Sequence, residues 1–370
     1  MNISAANAKF RTGKDLEFYS IMRGRVDAYF EKNGISKHAN ASMIIKTIVL
    51  VFFYVAPFVA LLVWQPGFWV AMGLWLIMGF AVAGVGMSVM HDANHGAYSS
   101  SETVNKWVGY SLNFLGGSVA NWKMQHNMLH HTYTNVTGMD EDIDTKLILR
   151  FSPHAEHRKV YRFQWLYAFV FYSILTLYWG VAKDLVQYFG YKKKGLNKNN
   201  QSKNIWYLVR VSAVKIVYFF TFLILPVLVT SIPFYQILIG FVLMHVLAGL
   251  ILSVIFQMAH TLEETEFPLP DESGNMENSW AIHQLKTTAD FSQDNKLLSW
   301  YIGGLNFQVE HHLFPRICHV HYPAIAPIIE ETAKEFGVPY LVNHTFASAF
   351  KSHLAMLQKL GRPKLDEIMG

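Results

Sequence analysis

Three short histidine clusters decide how this chain folds: HDANH at residues 91–95, HNMLHH at 126–131 and QVEHH at 308–312. Each lies just outside an apolar stretch long enough to cross a membrane. Neutral imidazole is a common protein ligand for iron, zinc, copper and nickel. Because no cysteine accompanies the clusters, an iron–sulfur centre and a cysteine-based zinc site are disfavoured. The clusters therefore predict a metal centre with histidine ligands.

The first two clusters have helical spacing. Residues four apart share one face of an α-helix, which places His91 beside His95 and His126 beside His130. His131 points about 100° further round the helix, where it is available to a second metal. A lone pair of this kind is more often a hydrogen-bonded helix histidine than a ligand pair. Three clusters on one side of a membrane favour the metal.

The third cluster begins with an amide instead of an imidazole. Gln308 and His312 are four residues apart, with His311 beside them. A glutamine offers a carbonyl oxygen or an amide donor, whereas neutral histidine offers a ring nitrogen. We therefore expect His311 and His312 to be metal ligands. Gln308 is expected either to bind the metal or to orient a neighbouring ligand.

The composition is that of a membrane protein. Of the 370 residues, 52% are hydrophobic and only 15% are charged, with a mean hydropathy of +0.20. Soluble domains carry about 25% charged residues. The net charge of +5 indicates cytoplasmic loops near anionic lipid and no nucleic acid partner. The single cysteine, Cys318, excludes an intrachain disulfide.

The apolar stretches predict four spans, at about residues 45–64, 68–90, 209–231 and 234–258. All clusters must share one side, so an even number of crossings separates the second from the third. A further apolar stretch at 163–181 is therefore predicted to be interfacial or buried in protein, and 104–120 to be an interfacial helix. The lysine-rich linker after 191 then stays cytoplasmic.

The predicted architecture is an all-α integral membrane protein with about four transmembrane helices and a cytoplasmic helical cap that holds the metal site. We expect a cytoplasmic N-terminal segment (1–44), a membrane domain with the histidine clusters (45–325) and a cytoplasmic C-terminal segment (326–370). The first 40 residues contain no short apolar core, so a cleaved signal peptide is not expected.

The last span carries further candidates. His260 ends it on the cytoplasmic side, and His245 lies at mid-span, where an ionisable residue indicates function or a buried hydrogen bond to a helix carbonyl. Gly249, Ser253 and Phe256 fall near the same face. That face can wall a lipid tunnel, or its small residues can serve close helix packing.

With their spacing, the three clusters resemble the histidine boxes of the membrane fatty acid desaturase family, and the order of boxes and spans matches over about residues 45–325. The third box, QVEHH within NFQVEHHLFP at 306–315, is similar to that of front-end desaturases of the linoleoyl-CoA desaturase type. Those enzymes insert a double bond between an existing one and the carboxyl end.

The resemblance implies two non-haem irons held by the box histidines, with an extra histidine at the position of His260. The family often has an asparagine four residues before that histidine. Phe256 stands there instead, so that ligand is absent or is replaced by Gln257. Asp92, Asn94 and Glu310 are expected either to bind the metal or to orient its histidine ligands through their second ring nitrogen. The acidic run at 140–144 is also expected to orient these ligands.

The resemblance also implies the chemistry. An unactivated methylene requires O2, two electrons and an oxygen-activating metal. Residues 1–44 are too short for a fused cytochrome b5 domain, so we expect a separate cytochrome b5-like protein or ferredoxin as electron donor, drawn to a basic face. The acyl carrier (coenzyme A, a membrane lipid or a carrier protein), the bond position and the membrane (bacterial inner membrane or endoplasmic reticulum) stay open.

Two other functions compete with this interpretation. A lipid hydroxylase or related oxygenase shares the boxes and differs in its product. A membrane metal transporter or receptor would place polar ligands near the bilayer midplane, where only His245 lies. The remaining histidines are expected to be ordinary surface residues (His154, His157, His283, His344 and His353) or, for His319 and His321, to shape the cap or touch a headgroup.

Overall fold

The computed structural model describes residues 8–11, 15–144, 148–197 and 201–362. Lys14 of the N-terminal segment and Lys198 of the lysine-rich linker lie outside the described residues. The chain folds as two compact units, the first built from residues 1–38, 123–169 and 255–370 and the second from 39–122 and 170–254. The predicted boundaries after residues 44 and 325 stay predictions.

Helices dominate both units. In chain order they are α1 Asp15–Asn33, α2 Ala41–Trp64, α3 Phe68–Gly84, α4 Met90–His95, α5 Glu102–Gly109, α6 Ser111–Phe114, α7 Val119–Trp122, α8 His131–Tyr133, α9 Gln164–Ser173, α10 Leu175–Tyr178, α11 Asp184–Lys193, α12 Gln201–Phe219, α13 Leu225–Val229, α14 Phe234–His260, α15 Trp280–Thr287, α16 Lys296–Tyr301, α17 Gln308–Leu313, α18 Tyr322–Glu335 and α19 Phe346–Gly361. Four π-helical segments (Val85–Val89, Lys123–His130, Trp179–Lys183 and Phe220–Ile224) and two 3₁₀ turns (Lys159–Phe163 and His319–His321) join some of them.

Within the described ranges, four helices are long and apolar enough to cross a membrane, as predicted: Ala41–Trp64, Phe68–His95, Gln201–Val229 and Phe234–His260. The second and third contain π-helical segments. The second ends at His95, beyond its predicted end at 90, and the third begins at Gln201, before its predicted start at 209. The side chain of Asn40 caps the first by accepting from the amide of Met43. Gln65, with φ of 46°, ends that helix in the left-handed region.

The predicted interfacial stretch at 163–181 forms a bent pair of helices, Lys159–Ser173 and Leu175–Lys193, with an angle of 51° between them. Counted as one broken span, the pair would be a fifth crossing. Its position relative to the membrane stays a prediction.

The single helix predicted for 104–120 is wrong, because the structure has the three short helices α5, α6 and α7 instead. Gly116, with φ of +87°, breaks the run, since a residue with a side chain rarely adopts that conformation. A Cβ on Gly117 would lie 2.9 Å from the Trp179 ring, so this turn packs too closely for another residue.

In the first unit, α1, α15, α17 and α18 enclose an apolar core. Phe18, Met22, Leu285 and Ile329 are among its buried members. A two-residue parallel sheet, β1 Asp290–Phe291 and β2 Val342–Asn343, lies in the same unit. The all-α prediction missed this sheet, because two-residue strands leave no periodic signal.

Candidate metal centre

The second histidine cluster lies on a π-helix, Lys123–His130, which continues into α8. π-helical turns are rare and concentrate at functional sites. Their wider i→i+5 turn brings His131 back towards His126, and the two Nε2 atoms are 3.3 Å apart. The closeness of His131 to His126 was not predicted, because the sequence was interpreted as an α-helix. The availability of His131 to a second metal stays a prediction.

His130, His260 and His312 form a triangle of imidazole rings. Their centroids are 4.7 Å (130 to 260), 4.8 Å (260 to 312) and 4.9 Å (130 to 312) apart. One ring atom from each lies within 4.8 Å of the others, which is a metal-binding arrangement. All three Nε2 atoms are buried, and none has a hydrogen-bond partner among the described residues. Buried nitrogens of this kind carry a large cost unless a ligand occupies the space between them.

The other ring nitrogen of His130 faces a carboxylate. Nδ1 lies 3.0 Å from Oδ2 of Asp140, which also accepts from the amide of Asn135 at 2.9 Å. Burial lowers the pKa of His130, but the charges of Asp140 and Asp142 outweigh it and raise the pKa above its usual value. Burial raises the pKa of Asp140, and the contacts with His130 and two backbone amides lower it overall. The ionised carboxylate therefore holds the proton on Nδ1 and leaves Nε2 for a metal.

Neutral acceptors face the other two rings of the triangle. Nδ1 of His260 lies 3.3 Å from the carbonyl oxygen of Thr287. Nδ1 of His312 lies 2.8 Å from Oε1 of Gln284. Burial and the neighbouring imidazoles hold the pKa of His312 well below its usual value, so the ring is neutral, as a ligand must be.

A second group joins the triangle through a shared member. His131, His311 and His312 can hold a metal between them, with ring centroids 4.6 Å (131 to 311) and 4.4 Å (131 to 312) apart. Nδ1 of His311 lies 3.3 Å from the hydroxyl of Tyr322. His126, His130 and Asp142 form another such group. Overlapping groups of this kind fit the donor set of more than one metal ion.

The first cluster belongs to the other unit. His91 and His95 are buried, with ring centroids 4.7 Å apart, and both rings pack edge-on against Trp122. Nδ1 of His91 is 3.9 Å from a carboxylate oxygen of Asp92. The ligand roles predicted for His91 and His95 stay predictions.

Comparison with known proteins decides the family. A family model described as fatty acid desaturase matches residues 67–343. The sn-1 linoleoyl-lipid 6-desaturase of Arthrospira platensis is 36% identical over 358 residues, which cover 97% of this chain and 96% of that protein. The protein of the same name from Synechocystis sp. is 38% identical, covering 93% and 96%. The acyl-lipid (8-3)-desaturase of Physcomitrium patens is 34% identical, covering 96% and 74%.

The chain belongs to the fatty acid desaturase family. It is therefore a fatty acyl desaturase, an oxidoreductase, and the resemblance drawn from the three histidine boxes is confirmed. The matched residues include all three boxes and the candidate ligands of the triangle.

Two residues predicted to support the ligands of this desaturase contact other groups. Asn94 donates to the carbonyl oxygen of Gly109 at 3.2 Å, and so ties α4 to the end of α5. Glu310 accepts from the hydroxyl of Tyr340 at 2.8 Å, and the same hydroxyl contacts Asp290 at 2.8 Å. Burial and the adjacent Asp290 raise the pKa of Glu310 well above its usual value, so the carboxyl pair holds a proton. The pair anchors α17, because Asp290 also accepts from the amide of Val309 at 2.9 Å.

The residues around His260 line the triangle. The ring of Phe256 lies 5.1 Å from that of His130 and 5.0 Å from that of His260, so the position where the family often has an asparagine presents an apolar wall. Oε1 of Gln257 accepts from the hydroxyl of Thr261 at 2.7 Å on the same helix end. Gln308 is buried in the first turn of α17. Ligand roles for Gln257 and Gln308 stay predictions.

The predicted tunnel face of α14 packs closely against protein. His245 lies between two hydroxyls, with Nε2 2.9 Å from Tyr218 and Nδ1 3.1 Å from Thr176. The hydroxyl of Ser253 donates to the carbonyl oxygen of Tyr172 at 3.3 Å. A Cβ on Gly249 would lie 2.8 Å from that same oxygen. These contacts give each of the three residues a packing role, and a tunnel along this face stays a prediction.

Two histidines expected at the surface are buried, and the prediction for them is wrong. His283 lies on α15 with Nε2 2.9 Å from the carbonyl oxygen of Thr134, and burial lowers its pKa to about 4. His353 lies on α19 with Nδ1 2.9 Å from the carbonyl oxygen of Thr261. Their burial depends on contacts with distant segments, which the sequence does not show. By contrast, His154 and His344 are exposed, as expected.

Sequence reasoning missed Gln284, the residue that faces His312. It lies outside all three boxes and about 25 residues beyond the last span, on the short helix α15. The only available signal was the amphipathic pattern of that helix, with Ala281 and Leu285 spaced for a core. Nothing in one sequence connects that pattern with a histidine box.

Proposed function

We propose that the chain is a front-end acyl-lipid desaturase that places a double bond at carbon 6 of a lipid-linked linoleoyl chain. Two relatives named sn-1 linoleoyl-lipid 6-desaturase match it over nearly their whole length. The third relative is also an acyl-lipid desaturase by name. These names favour a membrane lipid over coenzyme A as the acyl carrier. The third box, which begins with Gln308, supports the front-end class.

The observation that carries the proposal is the triangle of His130, His260 and His312, whose Nε2 atoms are buried and have no hydrogen-bond partner among the described residues. We assign these three, with His126, His131 and His311, to two non-haem irons. His91 and His95 join the ligand set by resemblance to the family. The irons would supply the activation of O2 that hydrogen removal from an unactivated methylene requires.

The protein's own contribution is to hold the ligands in one protonation state. Asp140 keeps the proton of His130 on Nδ1, so Nε2 presents its lone pair. The low pKa of His312 keeps that ring neutral. Phe256 covers two of the rings with an apolar surface, which excludes water from that side.

The electrons would come from a separate cytochrome b5-like protein or ferredoxin. We place the N-terminal segment and the lysine-rich linker on the cytoplasmic side of a bacterial inner membrane or of the endoplasmic reticulum, because their positive charge follows the positive-inside rule. The C-terminus is placed on the same side, because two predicted spans separate it from the linker. Reporter tags at both termini and in the linker test this orientation. A linker tag on the opposite side would show that the bent helix pair crosses the membrane.

Product analysis tests the activity. The chain is expressed in cells whose lipids contain linoleoyl chains, and the fatty acids of each lipid class are identified by mass spectrometry of derivatives that mark double-bond positions. We expect a new bond at carbon 6 that appears first in the lipid fraction. A product that gains oxygen would indicate a hydroxylase, and a new bond that appears first on coenzyme A would overturn the assigned carrier. His312→Ala should abolish the product and lower the iron content while the protein still inserts in the membrane.

A further inference from the structure

Helix α15 (Trp280–Thr287) contains no histidine box, yet it contacts segments that carry candidate ligands. Nε1 of Trp280 donates to the carbonyl oxygen of His131 at 3.0 Å. Four to seven residues further along, Gln284 faces His312 and the carbonyl oxygen of Thr287 faces Nδ1 of His260. The side chains of Trp280 and Gln284 share one helix face, and Thr287 ends the helix, so a single helix reaches the second box, the third box and the end of α14.

A neighbouring face of α15 is anchored. Ala281 and Leu285, four residues apart, are buried in the apolar core that α1, α17 and α18 enclose. His283 ties the helix to the segment after the second box through the carbonyl oxygen of Thr134. Because one face is packed and the other bonds the ligand segments, movement of α15 would displace the imidazoles.

We propose that α15 is the positioning element of the metal centre and that Gln284 is a positioning residue that sets the tautomer and the orientation of His312. The inference rests on the proposed function only in taking the bound metal to be iron. The proposed role requires Gln284 to accept a hydrogen bond from the ring, which leaves Nε2 of His312 to bind the metal.

The contact between the Gln284 amide and His312 has this direction in the structure. Oε1 of Gln284 lies 2.8 Å from Nδ1 of His312 and 2.8 Å from the hydroxyl of Thr134, which also lies 3.3 Å from the same Nδ1 and 2.7 Å from the carbonyl oxygen of His130. Nε2 of Gln284 is buried and has no hydrogen-bond partner among the described residues. If the amide were reversed, its NH2 group would donate to Nδ1, the ring proton would move to Nε2, and His312 would no longer be a ligand.

Substitutions at Gln284 distinguish acceptor from donor. Gln284→Glu, when ionised, presents only acceptors, so it keeps the contact with Nδ1, and it replaces a buried NH2 group that has no partner in the described part of the chain. Gln284→Leu removes the acceptor and keeps the bulk. Gln164→Leu is the matched control, because Gln164 is equally buried and its side chain makes three hydrogen bonds, none of them to a histidine.

The measurements are metal retention and coordination in purified full-length protein. Each variant is loaded with Fe(II) and competed with a chelator. A parallel sample is loaded with Co(II), whose visible spectrum reports the number and type of ligands, and a melting curve reports folding. We expect Gln284→Leu to lower metal affinity about 10- to 100-fold and to change the cobalt spectrum. Gln284→Glu should retain metal and the spectrum, and Gln164→Leu should melt earlier but keep its metal.

Each outcome decides the proposal. Unchanged affinity and spectrum in Gln284→Leu would overturn it, as would loss of metal in Gln284→Glu, because the amide would then act as a donor. Equal metal loss in Gln164→Leu would show a general packing effect and would also overturn it. If the wild-type chain binds neither Fe(II) nor Co(II), the metal centre of the proposed function fails, and the inference fails with it. A wild-type chain that binds metal but yields no unsaturated product would contradict only the proposed activity.

Discussion

Replacing Asp140 by asparagine should weaken metal binding without unfolding the protein. The carboxylate accepts from Nδ1 of His130 at 3.0 Å and from the amide of Asn135 at 2.9 Å through one oxygen, and from the amide of Asp142 at 3.0 Å through the other. An asparagine keeps one acceptor oxygen. Turned towards His130 and Asn135, that oxygen preserves two bonds, and the third donor loses this acceptor, at a cost of about 1–3 kcal/mol.

The effect on the metal has a separate origin. The ionised carboxylate behind His130 makes the ring a stronger donor, and loss of such a partner typically lowers metal affinity about 10- to 100-fold, which corresponds to roughly 1.4–2.7 kcal/mol. Chelator competition on purified Asp140→Asn measures this change, and a melting curve measures the stability change. Asp271→Asn is the control, because Oδ1 of Asp271 accepts from the amides of Ser273 and Asn275 in an exposed turn without an imidazole. Wild-type affinity in Asp140→Asn would refute the reasoning.

Two further predictions concern packing and pH. Gly249→Ala should lower the melting temperature, because its Cβ would lie 2.5 Å from the carbonyl oxygen of Ser173. Gly190→Ala is the control and should leave the melting temperature unchanged, because its Cβ would have no atom within 4 Å. Equal melting temperatures of the two variants would show that this face of α14 is open. Burial lowers the pKa of His353 to about 4, so below about pH 6.5 the unfolded chain binds a proton that the folded chain does not. This difference should lower the free energy of unfolding by up to about 3 kcal/mol as the pH falls from about 6.5 to 4. His353→Asn keeps a donor for the carbonyl oxygen of Thr261 and should make the melting temperature less dependent on pH. An unchanged pH dependence in this variant would contradict the account.

The histidines that the structure brings together in the triangle could be named from the sequence, because residue type and spacing are both local. The four-residue spacings of His126 with His130 and of Gln308 with His312 pointed to two of them, and the end of an apolar span pointed to His260. The number of long apolar helices followed from length alone. The π-helical turn at the second box could not be foreseen, because α and π turns accept the same residues and only the surrounding protein selects between them. For that reason the closeness of His131 to His126 was not predicted.

The groups behind the ligands were harder to predict, because they depend on contacts between distant segments. Of the acidic run at 140–144, which was expected to orient imidazoles, Asp140 contacts His130 from ten residues away. Gln284 meets His312 across 28 residues, and Thr287 meets His260 across 27. A single sequence carries no information on which polar residue of a short amphipathic helix faces a metal site. Glu310, adjacent to His311 in sequence, points instead to Tyr340.

The three rings of the triangle are not equivalent, because a different acceptor faces Nδ1 of each ring. The acceptor is a carboxylate for His130, an amide oxygen for His312 and a backbone carbonyl for His260. An ionised acceptor polarises an imidazole more strongly than a neutral one, so His130 is the strongest electron donor of the three. His312, which belongs to both the triangle and the second group, has a neutral partner, and burial together with the four histidines around it lowers its pKa. The proposed site would therefore offer its strongest donor at His130 and a neutral ring at the shared position, so His130 would contribute most to holding a metal in the triangle.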